Sequence, residues 1–156
     1  MRLTDILQAD CVKAPLKAET KEAAIGELID LLADRVGITD REALKKAVWA
    51  REQTRTTGIG HGIGIPHGKC NGIAKLAMAI GRTAKPIEYG SIDRKPVDLI
   101  FLLVSPADQT GPHIQALAAI SRMLTETTFR SAIRAADDGV GMYRVITDQQ
   151  AKEAVG

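Results

Sequence analysis

The amino-acid sequence predicts a single α/β domain whose helices and strands pack in layers. Apolar residues recur at helical spacing in both halves of the chain, and strand-like apolar runs lie between them. The length of 156 residues, 45% of them hydrophobic and 26% charged, suits one globular domain with a sizeable core. No internal repeat, low-complexity tract or interdomain linker divides the chain. We therefore expect residues 1–156 to form one domain.

Two amphipathic helices are predicted in the first third of the chain. Residues 1–16 show no clear period, and no element is assigned to them. A helix is predicted from Lys21, where Thr20 can cap its start and Gly37 can end it. Its apolar row at helical spacing consists of Ile25, Leu28, Ile29, Leu32 and Val36. A capping-box pattern at residues 39–42 precedes a second helix, whose inner row consists of Leu44, Ala47 and Val48.

Arg51 continues the inner row of this second helix, three residues after Val48 and four after Ala47. A guanidinium that faces inward there needs an anionic partner. The same spacing fits a frayed helix end, at which Arg51 is a solvated cation favoured by the helix dipole. Both interpretations stay open on spacing alone.

Residues 57–69 are the most distinctive stretch of the sequence, since four glycines and three isoleucines alternate up to Pro66, which precedes His67. The alternating isoleucines predict a strand with one buried face, and glycine allows close approach of another backbone or of a ligand. Proline excludes an ordinary helical continuation. The stretch is therefore predicted to hold the imidazole of His67 at the end of a strand.

Two further strands are predicted in the middle of the chain. Residues 75–80 alternate between the two faces of a strand. One face carries Leu76, Met78 and Ile80. Residues 97–104 form an apolar run suited to a strand covered on both sides. Between the two strands, residues 87–96 have the composition of a short hairpin or a surface loop.

A helix is predicted to open at residues 110–113, with Pro112 suited to its first position. Its inner row consists of Leu117, Ile120 and Leu124. His113 lies on that face in the first turn, where free backbone N–H groups and the helix dipole favour an anion. A side chain without function fits this position as well.

The C-terminal part of the chain is predicted to be helical. A short helix around Phe129 and Ile133 is interrupted at residues 137–139. A last helix follows, with apolar residues Tyr143, Val145 and Ile146. Nothing in this part carries chemistry.

Charge and hydropathy exclude several classes of protein. With 21 Lys and Arg against 19 Asp and Glu, and aromatics at 3%, the chain has neither a basic stripe nor a stacking platform for nucleic acid. Its longest apolar run, residues 99–104, is far shorter than a membrane-spanning helix, and no signal sequence is evident. Cys11 and Cys70 have no metal or redox spacing and are expected to be unpaired thiols. We expect a cytoplasmic protein.

The glycine-rich stretch does not match the sequence motifs of common phosphate-binding, dinucleotide-binding or hydrolase sites. A P-loop ending at Lys69 requires glycine at position 63 and Ser or Thr at position 70, which are Ile63 and Cys70. The dinucleotide-binding glycine pattern fails in every register. No G-x-S-x-G motif is present, and Cys70 lacks an evident acid to orient a catalytic pair.

A zinc site is also disfavoured. His61, His67 and Cys70 lie close in sequence and could be joined by His113. Yet no H-E-x-x-H motif exists, and residues 56–74 contain no carboxylate. We expect no metal site and no cofactor.

The remaining interpretation makes His67 itself the reacting group, because a neutral imidazole is a good nucleophile near neutral pH. A phosphoryl group is the natural electrophile. Its transfer requires in-line placement and compensation of charge on the phosphoryl oxygens. Arg51, backbone N–H groups near the glycines and His113 are suitable donors.

These residues carry a specific resemblance. The chain has Arg51 followed by Glu52, Thr-Gly-Ile-Gly at 57–60, Gly-Ile-Gly-Ile-Pro-His-Gly at 62–68, and Ser-Pro at 105–106 before His113. Over residues 1 to about 148 it resembles an enzyme IIA domain of the mannitol/fructose class of the bacterial phosphoenolpyruvate-dependent phosphotransferase system. As a free-standing domain it most resembles the nitrogen-regulatory branch of that class.

The resemblance implies a mixed β-sheet between helices and a phosphocarrier function. It implies that His67 accepts a phosphoryl group from a small histidine phosphocarrier protein, with assistance from Arg51 and His113. Support around the phosphoryl group is expected from Thr57, Gly58, His61, Gly62 and Gly68.

The resemblance also implies partners. In the regulatory branch, the phosphorylation state modulates proteins such as potassium-transport components and sensor kinases, whereas the alternative is delivery of phosphate to a fructose- or mannitol-type permease. Two residues depart from the family pattern: His61 stands where asparagine is usual, and Gly64 where alanine is usual. His61 either adds a donor beside the site or is a tolerated polar substitution.

Overall fold

The computed structural model describes residues 1–155, in which a mixed sheet lies between helices. After a 3-10 turn at Leu3–Asp5, the elements along the chain are β1 (Leu7–Leu16), α1 (Lys21–Ala33), α2 (Arg41–Thr54), β2 (Gly58–Gly60), β3 (Ile63–Gly64), β4 (His67–Lys69), β5 (Ala77–Ile87), β6 (Val97–Ser105), α3 (Thr110–Leu124), α4 (Thr127–Ala135) and α5 (Gly139–Val155). The predicted α/β class and the mixed sheet implied by the resemblance are confirmed.

The sheet has the order β1-β5-β6-β3-β2, and β4 also pairs with β6. β5 is parallel to β1 and antiparallel to β6, whereas β3 and β4 both run parallel to β6. β3 pairs with the first half of β6 through Leu99 and Ile100, and β4 pairs with its end, from Leu103 to Ser105. The glycine-rich stretch therefore follows β6 along its length and brings His67 to the carboxyl end of that strand.

β5 and β6 form the centre of the core because helices cover both faces of the sheet. The run over residues 97–104 is buried throughout, as predicted for a doubly covered strand. In β5, Met78 and Ile80 are buried on the predicted face, and residues 77 and 79 on the opposite face are buried as well. The alanines at positions 77 and 79 line this second buried face. Because their side chains are small, the sequence looks like the alternating pattern of a strand with one exposed face.

The first strand is the element that the sequence does not reveal. Residues 7–16 pair with β5, but shifts of register interrupt the ladder on either side of Val12 and Lys13. Buried residues consequently fall at positions 7, 11, 12 and 16, without the regular alternation of a strand.

The helices form where they are predicted, with differences at their ends. Thr20 caps α1, which ends at Ala33 instead of continuing to Gly37. The N-cap of α2 is Asp40, whose carboxylate accepts from the N–H of Ala43, so the predicted capping box is displaced by one residue. Pro112 is the third residue of α3, not the first; this is tolerated because no N–H of the first turn has a helical partner.

Two smaller expectations agree with the structure. Cys11 and Cys70 are free thiols. No helix within residues 1–155 has the length and apolar character needed to cross a bilayer.

Candidate functional site

His67 is the first residue of β4, and its ring is held in one orientation by the backbone just before it. Its Nδ1 lies 2.8 Å from the carbonyl oxygen of Ile65. A carbonyl oxygen only accepts hydrogen bonds, so Nδ1 carries the ring proton and donates it. Nε2 therefore keeps its lone pair. His67 as a residue is half-buried, so part of it is open to solvent.

His113 lies against His67 from the first turn of α3. The centroids of the two rings are 5.4 Å apart, and the ring planes are tilted by 59°. His113 is buried, and its Nδ1 shares a hydrogen bond of 2.6 Å with the hydroxyl of Ser105, the last residue of β6. The sequence-predicted pair is therefore brought together at the carboxyl end of the central strand.

Both imidazoles are neutral near neutral pH. Burial is the main cause that lowers the pKa of His67 below its ordinary value of 6.5, and the positive charges of Arg51 and Lys69 act in the same direction. The Ile65 carbonyl partly opposes this shift. Burial, followed by the charges of His67 and Lys69, lowers the pKa of His113 to about 4. At neutral pH, His67 is thus in the form that can act as a nucleophile.

Arg51 lies within the last turn of α2, which continues to Thr54, so the helix end is not frayed at this residue. The residue is half-buried; its guanidinium donates to the carbonyl oxygen of Arg55 at 3.1 Å and lies near enough to His67 for its charge to lower the pKa of that ring. Within residues 1–155, Arg51 is therefore neither paired with an anion nor a solvated cation at a frayed helix end. Its partner is a neutral carbonyl, which leaves its charge available to an anion.

α2 approaches the site closely because position 68 is glycine. A Cβ atom at Gly68 would lie 2.9 Å from Cγ2 of Val48 and 3.3 Å from its Cα, which is closer than packing allows. β4 thus carries His67 directly against the helix that bears Arg51. On the other side of the site, the ammonium of Lys69 donates to the hydroxyl of Thr110 at 2.9 Å.

Thr57 and Gly58 border the site through the backbone. The carbonyl oxygen of Thr57 accepts the N–H of Ile65 at 3.1 Å, which places it next to the residue that orients His67. Gly58 pairs with Gly64 and packs against Ser91, where a side chain would overlap that serine.

His61 and Gly62 lie elsewhere. They form the turn between β2 and β3, and their φ angles of 58° and 74° fit the type I′ turn that joins two hairpin strands. Gly62 meets the start of β6, whereas His67 pairs with Leu103, which is roughly 13 Å further along the strand at 3.3 Å per residue. The structure does not bring these two predicted support residues to His67.

The turn also accounts for the residue type at position 61. His61 is exposed, and its carbonyl oxygen accepts from Arg134. Asparagine and histidine both tolerate the left-handed backbone conformation better than most residues. The substitution of histidine for asparagine is thus compatible with the turn and needs no role in chemistry.

Sequence reasoning missed a buried carboxylate beside the site. Glu52 is buried at the end of α2 and accepts hydrogen bonds from the N–H of Thr57 at 2.6 Å and from the Thr57 hydroxyl. It also forms an ion pair with Lys21 at 3.0 Å. A signal was present, because Leu44, Val48 and Glu52 are spaced by four residues and are the buried residues of α2. The inner row continues to Glu52, and Arg51 lies at its margin.

The arrangement suits transfer of an anionic group to nitrogen. It combines a nucleophilic Nε2, a second neutral imidazole, and the cations Arg51 and Lys69 within electrostatic reach of His67. Within the described residues 1–155, no three His, Cys, Asp or Glu side chains are grouped so as to hold a metal ion.

Comparison with known families agrees with this geometry. The family model described as "Phosphoenolpyruvate-dependent sugar phosphotransferase system, EIIA 2" matches residues 5–149. The chain belongs to this EIIA type 2 family. Members of the family are phosphotransfer proteins, so the phosphotransferase class predicted from the site is confirmed at that level.

Individual relatives of this EIIA domain fall into two groups. It is 34% identical over 146 residues to a "Nitrogen regulatory protein" of Bradyrhizobium diazoefficiens, which covers 94% of this chain and 95% of the relative. It is 40% identical over 129 residues to a "PTS system fructose-specific EIIA component" of Haloferax volcanii, with 83% and 84% covered. The crystal structure of the nitrogen regulatory protein IIA-Ntr of Neisseria meningitidis shares the fold, with a TM-score of 0.83 at 24% identity over 91% of this chain and 97% of that one.

Proposed function

We propose that this EIIA domain carries a phosphoryl group on Nε2 of His67 and that its phosphorylation state regulates partner proteins. The observation that carries the proposal is the hydrogen bond from Nδ1 of His67 to the Ile65 carbonyl, which leaves Nε2 as the nucleophile. The donor is a small histidine phosphocarrier protein, and the reaction takes place in the cytoplasm.

The step balances without a cofactor. The lone pair of Nε2 attacks the phosphorus of the donor's phosphohistidine, a new nitrogen–phosphorus bond forms, and the donor's nitrogen–phosphorus bond breaks. The donor imidazole leaves with that electron pair as a neutral ring, its other nitrogen carrying a proton. The proton of His67 stays on Nδ1, bound to the Ile65 carbonyl. Arg51 and His113 offset the charge of the phosphoryl oxygens during the transfer.

The test is incubation of the purified chain with phosphoenolpyruvate, the first phosphotransferase enzyme and the small carrier. We expect one acid-labile phosphoryl group, and ³¹P and ¹⁵N NMR should assign it to Nε2 of His67. His67→Ala should abolish labelling. His61→Asn is the matched control: it removes another imidazole from a position that accepts asparagine, and it should label as the wild type does. Labelling of His67→Ala on another histidine would refute the proposal.

The two assisting residues make a second test. We expect Arg51→Ala and His113→Asn to slow transfer by about 100-fold while the chain stays folded, because each removes a group that offsets charge but not the acceptor. Transfer at the wild-type rate in either folded variant would contradict the role assigned to that residue.

A second candidate function is delivery of phosphate to a sugar. It is favoured by the 40% identity to a protein named as a fructose-specific EIIA component. Under the regulatory function proposed first, by contrast, the partners include potassium-transport components and sensor kinases. To separate the two, the ³²P-labelled chain is mixed with a fructose-specific EIIB component, membranes containing the permease, and fructose. Rapid formation of fructose phosphate supports delivery, whereas retention of the label supports regulation.

A further inference from the structure

We propose that Glu52 is a positioning residue for His67, which it holds in its nucleophilic form through the backbone of Thr57 and Ile65. This inference rests on the proposed function and deepens it. It adds to the site a carboxylate that touches neither ring but is linked to His67 by consecutive hydrogen bonds.

The carboxylate of Glu52 is fully engaged. Its side chain is 1% exposed. One oxygen accepts the N–H of Thr57 at 2.6 Å and the ammonium of Lys21 at 3.0 Å. The other accepts the hydroxyls of Thr57 and Tyr89. Burial raises the pKa of Tyr89, so its hydroxyl keeps the proton that it donates. A carboxylate with this set of donors has one orientation.

Lys21 supplies the counter-charge from a different helix. Its ammonium lies 4.3 Å from the ring centroid of Tyr89 and 5.9 Å from that of Trp49, at distances where aromatic faces attract a cation. Glu52 thereby joins the first residue of α1, the end of α2 and the start of the glycine-rich stretch. A buried charge without such partners would be costly, so the group is held as a unit.

From Glu52 the hydrogen bonds continue to the reacting ring. The N–H of Thr57 is fixed by Glu52, and the carbonyl oxygen of Thr57 accepts the N–H of Ile65 at 3.1 Å. The carbonyl oxygen of Ile65 then accepts the Nδ1–H of His67 at 2.8 Å. Each residue in this path is bonded on both sides. Loss of the first bond frees the Thr57 peptide and, through it, the carbonyl that selects the tautomer of His67.

A purely structural role for Glu52 makes a different prediction. Glu52 lies five residues before Thr57 and could simply close the turn after α2. Such a closure contributes to the free energy of unfolding but does not alter the tautomer of His67 in molecules that are folded. The tautomer therefore distinguishes positioning from stabilisation.

The experiment uses protein labelled with ¹⁵N-histidine, whose three imidazoles are resolved by long-range ¹H–¹⁵N correlation at mildly alkaline pH. In the wild type we expect His67 to carry its proton on Nδ1. In Glu52→Gln, one of the two carboxylate oxygens becomes an NH2 group that donates and cannot accept, so the N–H and the hydroxyl of Thr57 no longer both have an acceptor. The His67 signals should then shift toward a mixture of the two tautomers.

Glu27→Gln is the matched control. Glu27 also accepts backbone N–H groups, those of Lys17 and Ala18, at 3.0 and 2.9 Å, and pairs with Lys13 at 2.7 Å. It lies beside β1, at the edge of the sheet away from β4, with no path to His67. Its variant should leave the tautomer of His67 unchanged. If Glu52→Gln fails to fold, the double variant Lys21→Met/Glu52→Gln removes both charges of the ion pair and is measured instead.

Transfer kinetics provide a second readout. Glu52→Gln should lower the maximal rate of transfer from the phosphorylated carrier about tenfold and leave the apparent affinity for the carrier unchanged, since Glu52 acts on the acceptor ring and not on the binding of the carrier. An unchanged His67 tautomer in the folded variant overturns the proposal, as does an equal shift in Glu27→Gln. If the wild type is not phosphorylated at all, the proposed function fails, whereas the tautomer measurement still decides the role of Glu52.

Discussion

Burial gives the two site imidazoles their chemical state. A histidine in water is partly protonated near neutral pH, and a protonated ring has no lone pair for attack. Here the pKa values of His67 and His113 are lowered, chiefly by burial, so both rings are neutral near neutral pH. In the proposed function, a phosphoryl group at His67 would add negative charge next to His113 and so raise the pKa of that ring.

This neutrality makes the stability of the protein depend on pH. The pKa of His113 is about 4 in the folded chain against 6.5 for the ordinary side chain, so the unfolded chain binds more protons between these values. The stabilisation is complete above pH 6.5 and is lost as the pH falls toward 4, by up to ~3 kcal/mol. His113→Asn, which keeps a polar group near Ser105 but does not titrate, should lose correspondingly less free energy of unfolding over this range.

Urea unfolding at closely spaced pH values measures this difference. Glu27→Gln, which keeps His113, serves as the reference variant. Hydrogen bonds lower the pKa of Glu27, so protonation of this carboxylate also lowers the free energy of unfolding as the pH falls. Parallel pH profiles for the wild type and His113→Asn would contradict burial of His113 in the neutral form.

The sequence predicts a site residue when its neighbours in the chain are unusual. It does not predict a residue whose role depends on side chains that are distant in sequence. His67 was singled out because Pro66 and a run of alternating glycines precede it, a pattern that is unusual for an ordinary strand. The importance of Glu52 comes from Lys21 and Tyr89, which are distant in sequence and meet it only in the fold. Gly64 is similar: a Cβ there would lie 2.6 Å from Cζ of Tyr89, so the departure from alanine follows from an aromatic ring 25 positions later.

At the scale of elements, α2 does most to assemble the site. It carries Arg51 and Glu52 in its last turn and packs on β4 at Gly68. Long elements with a steady period, such as α1 and β6, were predictable because their own residues determine them. The short strands β2, β3 and β4 were not resolved individually, since two or three residues become a strand only by pairing with β6 or with each other.

The contact between α2 and β4 can be tested with one methyl group. In Gly68→Ala, the added Cβ meets Val48 at 2.9 Å and must push the helix outward, together with Arg51. We expect a loss of about 1–3 kcal/mol in the free energy of unfolding, as for other overpacked cores, and slower phosphoryl transfer. Denaturant unfolding and the transfer assay measure the two effects.

Gly37→Ala is the control for this variant, because a Cβ at position 37 has no atom within 4 Å and the backbone there is not left-handed. It should change the free energy of unfolding by less than about 0.5 kcal/mol. In a Val48→Ala background, Gly68→Ala should cost less free energy of unfolding than in the wild type, because the nearest methyl group is absent. Equal effects of Gly68→Ala and Gly37→Ala would show that the close approach of α2 is not what position 68 protects.

At the scale of the whole molecule, the order of the strands was beyond the reach of sequence patterns. Nothing in residues 7–16 indicates that they pair with β5. The sequence also does not indicate that β5 lies between β1 and β6, parallel to the first and antiparallel to the second. Periodicity reports which face of an element is buried, whereas the choice of neighbour depends on the packing of all elements together. The resemblance supplied the mixed sheet that local patterns left open.

One sheet buried on both faces implies that the chain unfolds as a unit. The buried apolar residues between positions 3 and 146 form one contact cluster, which includes residues of α1, α2 and α3. Trp49, the single tryptophan, packs against this core from α2. Its fluorescence therefore reports on the side of the sheet that holds the site, while far-UV circular dichroism reports on all helices. We expect both signals to give one transition with the same midpoint in guanidinium chloride.

The variant Leu102→Ala makes the test stringent, because this fully buried residue lies in the middle of β6, between the two helix layers. It should lower the free energy of unfolding by about 3 kcal/mol and move the fluorescence and dichroism midpoints together. A midpoint that shifts for one signal alone would mean that α2 and its site unfold separately from the remainder of the chain. The single domain predicted for residues 1–156 would then have to be divided, with the candidate site in the less stable part.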